Sequence, residues 1–61
     1  MNVYTIDSTD AEAVNDLIMT LIRSEEMEFT VYNEYEEDIT DEIKKLKSLK
    51  IRSIIKNRGI L

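Results

Sequence analysis

Charge is sharply divided between the two parts of this chain. Residues 1–43 hold all thirteen acidic side chains and a single base, Arg23, for a net charge of −12. Residues 44–61 hold seven bases and no acid, for a net charge of +7. The two parts attract each other, and each can also attract a partner of opposite sign. This division limits what the chain can be more than any short motif in it does.

The length of 61 residues predicts one small domain, residues 1–61, of marginal stability, because such a chain buries only about 60% of its unfolded surface. The sequence has no Cys and no His. A disulfide, a thiolate–zinc site and an imidazole base are therefore excluded. No calcium-loop spacing is present either, and we expect no metal and no cofactor. Stability must come from aliphatic packing, from a second copy or from a larger partner.

Hydrophobic residues make up 43% of the chain, which is typical of a globular protein and too high for a disordered acidic tail. No apolar run approaches the roughly 18 residues of a membrane span. The first residues, Met1-Asn2-Val3-Tyr4, lack the basic start and apolar core of a secretion signal. We expect a soluble cytoplasmic protein that does not bind membranes. The net charge of −5 argues against general affinity for nucleic acids.

The first part of the chain predicts a strand followed by a helix. Val3-Tyr4-Thr5-Ile6 is β-branched and aromatic, as strands are. Thr9-Asp10-Ala11-Glu12 fits a capping box in which the Thr9 hydroxyl caps the helix. Apolar residues then recur at spacings of 3, 1, 3 and 1, which predicts a helix over residues 10–25 with one apolar stripe. The stripe consists of Val14, Leu17, Ile18, Leu21 and Ile22.

A second strand and a second helix follow. Met27, Phe29 and Val31 alternate with polar residues, which predicts a strand with one buried face. Residues 33–38 are polar and acidic and are typical of a loop. The second helix has its cap at Asp38 or Thr40. Its expected buried stripe consists of Ile39, Ile43, Leu46 and Leu49.

The segment over residues 51–56 has two interpretations. The β-branched Ile51, Ile54 and Ile55 favour a third strand, with Asn57-Arg58-Gly59 as a turn after it. The absence of Pro and Gly between residues 40 and 58 favours an extension of the second helix to Asn57. We favour the strand. The resulting order is strand, helix, strand, helix, strand, which predicts an α/β fold with one layer of parallel sheet and two helices.

These segments resemble the first two-thirds of a thioredoxin or glutaredoxin domain. Val3-Tyr4-Thr5 looks like the opening strand of glutaredoxins, and Met27-Glu28-Phe29 looks like their second strand. Leu49-Lys50-Ile51-Arg52-Ser53-Ile54 is similar to the segment before the cis-proline of thioredoxins, and Lys56-Asn57-Arg58-Gly59 looks like the hairpin turn after it. The resemblance implies a small, truncated βαβαβ thioredoxin-like scaffold.

The residues that carry the chemistry of that family are missing. Thr9-Asp10-Ala11-Glu12 stands where the family has Cys-x-x-Cys, and Ile55 stands where its proline follows Ile54. Disulfide exchange needs a thiolate nucleophile, so we expect a redox-inactive protein. The serines have no histidine to activate them, and so small a domain has little room for a substrate cavity. We therefore expect no catalytic residues and no enzyme activity.

An acidic patch with two tyrosines is the main candidate site. Tyrosine offers a large contact area at low entropic cost, and complementary charge speeds encounter with a partner. The patch predicts a small regulator or inhibitor that occupies the surface of a larger cellular or host protein, of the kind that phages make. The expected partner-binding residues are Tyr32, Glu34, Tyr35, Glu36, Glu37 and Asp38.

Two other functions stay open. The bases over residues 44–58 could direct the chain to nucleic acid if residues 40–58 form one basic helix, although no aromatic residue lies among them to stack on bases. The chain could instead be a structural subunit that folds only in an oligomer, and a homodimer is also compatible with its size.

Overall fold

Two strands and two helices alternate along the chain in the computed structural model, which describes residues 2–58. Strand β1 spans Asn2–Thr5, helix α1 Ala11–Arg23, strand β2 Phe29–Tyr32 and helix α2 Thr40–Arg58. The two strands pair in parallel, and α1 forms the crossover between them. The predicted α/β class is confirmed, and so is the predicted parallel arrangement of the first two strands.

The predicted third strand over residues 51–56 is wrong, because this segment continues α2. Nothing interrupts the helix there, and each β-branched residue disfavours a helix by well under about 1 kcal/mol. Asn57 and Arg58, which we expected in a turn, are also helical, and Gly59 lies outside the described residues. The observed order over residues 2–58 is βαβα, without the third strand of the predicted βαβαβ scaffold. The thioredoxin-like relationship itself stays a prediction.

One face of the sheet packs against both helices. The parallel register places Asn2 beside Phe29 and Tyr4 beside Val31. Phe29 and Val31 are buried, and Tyr4 and Ile6 pack against them from the neighbouring strand. Both helices contribute side chains to this same hydrophobic cluster. The helices therefore lie together on one side of the two strands.

The opposite face of the sheet has no such cover. Side chains alternate across a strand, so this face carries Val3, Thr5, Thr30 and Tyr32. The Val3 side chain is 62% exposed. No helix within residues 2–58 packs on this side, whereas purely parallel sheets are almost always covered on both faces. This uncovered sheet face could therefore accept a further packing layer.

The outer edge of β2 is closed by the chain itself. The Val31 amide donates to the Thr40 hydroxyl oxygen at 2.9 Å, and the Ile39 amide donates to the Val31 carbonyl at 2.8 Å. An antiparallel bridge joins Tyr32 and Asp38 just beyond. Residues 38–40 therefore satisfy the N–H and C=O groups of Val31, which point away from β1.

The outer edge of β1 is open. The Ile6 amide donates to the Tyr32 carbonyl at 3.0 Å, which places the backbone groups of Ile6 on the β2 side. Because backbone direction alternates along a strand, the N–H and C=O groups of Val3 and Thr5 point to the other side. Among the residues that the structure describes, no strand pairs with that edge.

The hydrophobic core is small and is supplied unequally by the two helices. Its buried members are Leu17, Ile18, Leu21, Phe29, Val31 and Ile43. The predicted stripe of α1 is confirmed at its three buried positions, and Val14 and Ile22 are partly buried beside them.

The predicted stripe of α2 is wrong over its later half. Ile43 is buried and Ile39 is partly buried, but Leu46 is 42% exposed and Leu49 is 53% exposed. Beyond Ile43 the helix runs past the small core. Met27 is likewise 78% exposed rather than buried, because it precedes β2, which begins at Phe29.

The two helices begin with different caps. Asp10 caps α1, since its carboxylate accepts from the amides of Glu12 and Ala13. The predicted Thr9 cap is wrong because the Thr9 hydroxyl donates to the Asp7 carboxylate instead, at 2.6 Å. The helix runs from Ala11 to Arg23 and is shorter than the predicted 10–25. Helix α2 begins at Thr40, whose amide donates to the Asp38 carboxylate at 2.9 Å, so the predicted capping region is confirmed.

Candidate docking face

The loop between β2 and α2 is organised around one buried side chain. Asn33 is 7% exposed, and its side-chain oxygen accepts from the amides of Tyr35 and Glu37, both at 2.9 Å. Its side-chain amide donates to the Glu37 carboxylate at 2.8 Å. Backbone bonds from Asn33 to Glu37 and from Glu36 back to Asn33 complete the turn. The acidic loop is therefore held in one shape by internal hydrogen bonds.

Three of the predicted acidic site residues bind within the fold. The Glu34 carboxylate accepts from the hydroxyl and the amide of Ser8, at 2.8 and 3.1 Å, which ties the two loops at the carboxyl ends of the strands together. Glu37 binds Asn33, and Asp38 caps α2. These carboxylates keep their charge at the surface, but their first role is structural.

The other predicted site residues face outward. Tyr35 is 75% exposed at the tip of the loop. Glu36 is also exposed and adopts a positive φ of 61°, which turns the chain sharply next to Tyr35. Tyr32 is half-buried and lies on the uncovered sheet face.

A shallow depression joins the loop to the uncovered sheet face. It has a volume of about 290 Å³ and is lined by Thr5, Tyr32 and Glu36. Here the side chains of an aromatic residue, a hydroxyl residue and an acidic residue border one concave surface. The structure thus brings Tyr32 and Glu36 together on one concave surface, and Tyr35 precedes Glu36 in the same loop. We call these three residues the tyrosine face.

Hydrogen bonds lower the pKa values of two acids near this region. The Thr40 side chain and backbone amide lower the pKa of Asp38, and the Thr9 side chain and amide lower the pKa of Asp7. An aspartate is already ionised at neutral pH, and these hydrogen bonds extend the charged form of Asp7 and Asp38 to lower pH. The tyrosine face is accordingly bordered by fixed negative charge, which would attract a basic surface.

The bases of α2 are spread around the helix rather than gathered on one face. Lys44 and Lys47 each lie 5.8 Å from the centre of the Phe29 ring, and Lys47 also donates to the Glu26 carbonyl at 3.1 Å. Phe29 is only 4% exposed, so its ring cannot stack on a nucleotide base. Part of the basic cluster thus stabilises the fold.

Sequence reasoning missed the residues that shape this region. Asn33, Ser8 and Glu26 were not singled out, yet Asn33 and Ser8 fix the acidic loop. At the start of β1, away from this loop, Glu26 accepts hydrogen bonds from the Asn2 side chain and from the Tyr4 hydroxyl, and the bond from Tyr4 raises the pKa of Tyr4. The only local signal for this turn was a single Asn between a strand-like segment and an acidic segment, because Asn is favoured in turns.

Within residues 2–58, no group of three or more acidic side chains is placed to hold a metal ion. None of the helices in that part of the chain is long and apolar enough to cross a membrane. Comparison of the chain with known protein families, with characterised proteins and with solved structures found no match.

Proposed function

We propose that this chain is a non-catalytic interaction protein that binds a larger protein through the tyrosine face. The observation that carries the proposal is the uncovered face of a parallel sheet, on which Tyr32 lies beside Glu36, the residue that follows the exposed Tyr35. Parallel sheets normally have both faces covered, so a partner surface would complete the missing layer. The proposed partner surface is basic, to complement the acidic loop.

The shape of the loop supports this role. Its internal hydrogen bonds hold Tyr35 and Glu36 before any partner arrives, which lowers the entropic cost of binding. Tyrosines in such settings are frequent binding hot spots. In this proposal Tyr32 and Tyr35 are anchors, while Glu34, Glu36, Glu37 and Asp38 supply long-range attraction.

The class of protein follows from the same features. A chain of this size that carries one rigid docking face would act as a small regulator or inhibitor by occupying a surface of a larger cellular or host enzyme. A phage origin and a redox-inactive thioredoxin-like scaffold belong to the same proposal. They rest on size, composition and resemblance.

A paired-variant experiment tests the docking face. Tyr35→Ala/Glu36→Gln removes an exposed ring and a carboxyl charge from the tyrosine face, and Met27→Ala/Glu28→Gln is its matched control. Met27 is equally exposed and is followed by an acid, but it lies in the loop after α1. Wild type and both variants are tagged and used to capture proteins from source-cell extract, with quantitative mass spectrometry as the readout.

The proposal expects at least one protein that wild type and the control retain and that Tyr35→Ala/Glu36→Gln loses. With that protein purified, the tyrosine-face variant should bind about tenfold more weakly or worse. Equal binding by the two variants, or retention of the same proteins by both, would contradict the proposal.

A second candidate function is favoured by the continuity of α2. The helix is unbroken from Thr40 to Arg58, and this is the arrangement that a nucleic-acid-directed module would require. Fluorescence anisotropy with a labelled DNA duplex tests it, because phosphate contacts make affinity fall steeply between about 50 and about 200 mM salt. Salt-sensitive binding that Tyr35→Ala/Glu36→Gln does not alter would support this second function over the first.

A further inference from the structure

Strand β1 has the composition of an interior strand although it lies at an edge. The acidic part of the chain contains three uncharged runs of five residues or more, at residues 1–6, 17–22 and 29–33. The second run holds the buried positions of α1, and the third holds β2, which is bonded to β1 on one side and, at Val31, to residues 38–40 on the other. The first run holds β1, and no strand in the described part of the chain pairs with its outer edge. Edge strands are usually protected by charge or proline, and β1 has neither.

The free edge of β1 is short, because the chain turns directly after it. The N–H and C=O groups of Val3 and Thr5 point outward, whereas the amide of Ile6 donates to β2. The Asp10 amide then donates to the Asp7 carbonyl at 3.0 Å and closes a turn. The edge therefore offers a partner two outward-facing residues, with one residue between them that faces β2.

The length and direction of this edge select its occupant. Only an extended strand places backbone groups at the spacing of the free N–H and C=O groups, and a longer strand would run past the turn with groups of its own unpaired. A second β1 has the same length. When it is related by a two-fold axis through Tyr4, it runs antiparallel and places Val3 of each copy opposite Thr5 of the other. Each of these pairs exchanges two backbone hydrogen bonds, so all the outward groups of both residues are satisfied in both copies.

The side chains of β1 agree with this register. Tyr4 of the two copies would meet at the axis as a non-hydrogen-bonded pair, in which side chains come closest and aromatic pairs stabilise a sheet. The Tyr4 hydroxyl already donates to the Glu26 carboxylate at 2.7 Å, which holds the ring in place. On the uncovered face, Val3 is 62% exposed and would pack against Thr5 of the second copy. Because β1 is uncharged, no like charges would oppose each other across the pair of strands.

We infer that the outer edge of β1 is the interface of a homodimer, in which the β1 strands of two copies pair in antiparallel orientation. The strands of the dimer would form one sheet in the order β2, β1, β1, β2. An isolated two-stranded sheet is only marginally stable, whereas sheets of about four strands are among the commonest. Tyr32 and the acidic loop would lie at the two outer ends of this sheet, so dimerisation does not depend on the proposed function.

Sedimentation velocity on the full chain measures the self-association directly. The interface of one short edge is small, and small interfaces are typically weak, so we expect a dissociation constant between about 10 and about 500 µM. Thr5→Pro removes one outward amide from each copy and should raise this constant about tenfold or more. Thr5→Val keeps the amide and is the matched control, which should dimerise like the wild type. Circular dichroism checks that each variant is folded.

A second pair of variants separates the edge from general charge effects and decides the question if Thr5→Pro does not fold. Val3 and Ile55 are both 62% exposed, but Ile55 lies on α2. Each copy has a net charge of −5, so an added lysine at either position lowers the general repulsion between copies. Val3→Lys should nevertheless raise the dissociation constant about fivefold or more, because it places charge at the pairing edge. Ile55→Lys should not raise it.

Disulfide cross-linking tests the register of the two strands. The sequence has no Cys, so one introduced cysteine can cross-link only between copies. Opposed residues of a hydrogen-bonded antiparallel pair lie about 5.5 Å apart at Cα, which is within disulfide reach. An equimolar mixture of Val3→Cys and Thr5→Cys, one of them tagged so that size distinguishes the products, should therefore form the mixed cross-link in preference to either symmetric one.

Three results would overturn the inference. A chain that stays monomeric over the whole concentration range would leave the edge of β1 to a strand of another protein. Equal dissociation constants for the two members of either pair, Thr5→Pro with Thr5→Val or Val3→Lys with Ile55→Lys, would place the interface elsewhere. Symmetric cross-links in excess of the mixed one would exclude the antiparallel register about Tyr4.

Discussion

The two helices of this protein differ in what holds them. Helix α1 has 13 residues and buries Leu17, Ile18 and Leu21. Helix α2 has 19 residues and buries only Ile43. The shorter helix therefore contributes more to the core, and the longer one carries most of the basic charge and most of the exposed aliphatic surface. Length and charge alone do not indicate which helix a small fold depends on.

The starts of the helices differ in a related way. Asp10 caps α1 through contacts that are local in sequence. The first residue of α2, Thr40, also bonds to the backbone of Val31 in the sheet. Helix α1 is thus fixed by its buried face, whereas α2 is fixed by the Thr40 contacts at its start, by the buried Ile43 and by the Lys47 bond to the Glu26 carbonyl.

The largest expected effect tests the difference in burial. Leu21 is fully buried, so Leu21→Ala should lower the free energy of unfolding by about 2–5 kcal/mol, from lost transfer energy and a residual cavity. Leu49→Ala, at a concentration where the chain is monomeric, should lower it by about 0.5 kcal/mol or less. Urea denaturation followed by circular dichroism measures both. Equal losses would show that α2 is packed as tightly as α1.

An intermediate effect tests how each helix begins. Thr40→Val removes the acceptor of the Val31 amide and should cost about 1–3 kcal/mol, because a partly buried donor loses its partner. Asp10→Ala should cost about 1 kcal/mol through loss of the α1 cap. Thr40→Ser keeps the hydroxyl and should restore most of the loss in urea denaturation. If Thr40→Ser were as unstable as Thr40→Val, the hydroxyl would not be the source of the stabilisation.

The smallest effect is a pH dependence. The pKa of Asp38 in the folded protein is lowered from its ordinary value of 3.8, chiefly by hydrogen bonds from Thr40. Its contribution to stability is therefore complete above that ordinary value and is lost as the pH falls through the lower folded pKa. Asp38→Asn should flatten the acid side of the urea-midpoint profile. A profile with an unchanged slope would assign the acid sensitivity to other groups, such as Asp7.

The sequence predicted the elements whose pattern is local. The aliphatic spacing of α1 and the alternation at Phe29 and Val31 each depend on one element burying one face. The third strand failed because Ile51, Ile54 and Ile55 favour a strand by residue type but a helix by spacing, and the uninterrupted backbone decided for the helix. Residue type was the weaker signal there.

The docking face could be predicted only in part. The tyrosines and acids of residues 32–38 were found because they are contiguous in the sequence. Their division into inward-bonding and outward-facing groups depends on Asn33 and Ser8, whose contacts join distant or tightly turned parts of the chain. The uncovered sheet face also could not be foreseen, because it depends on both helices choosing the same side.

The closure of one edge of β2 by residues 38–40 limits how this sheet can grow. Within residues 2–58, the outer edge of β1 is the edge left free to pair with a further strand, so two copies that paired through it would leave no free edge there. Growth into a filament by strand pairing needs an unpaired sheet edge on both sides of every copy. A backbone bond from Ile39 and the side-chain hydroxyl of Thr40 therefore protect this side of the sheet against unlimited polymerisation.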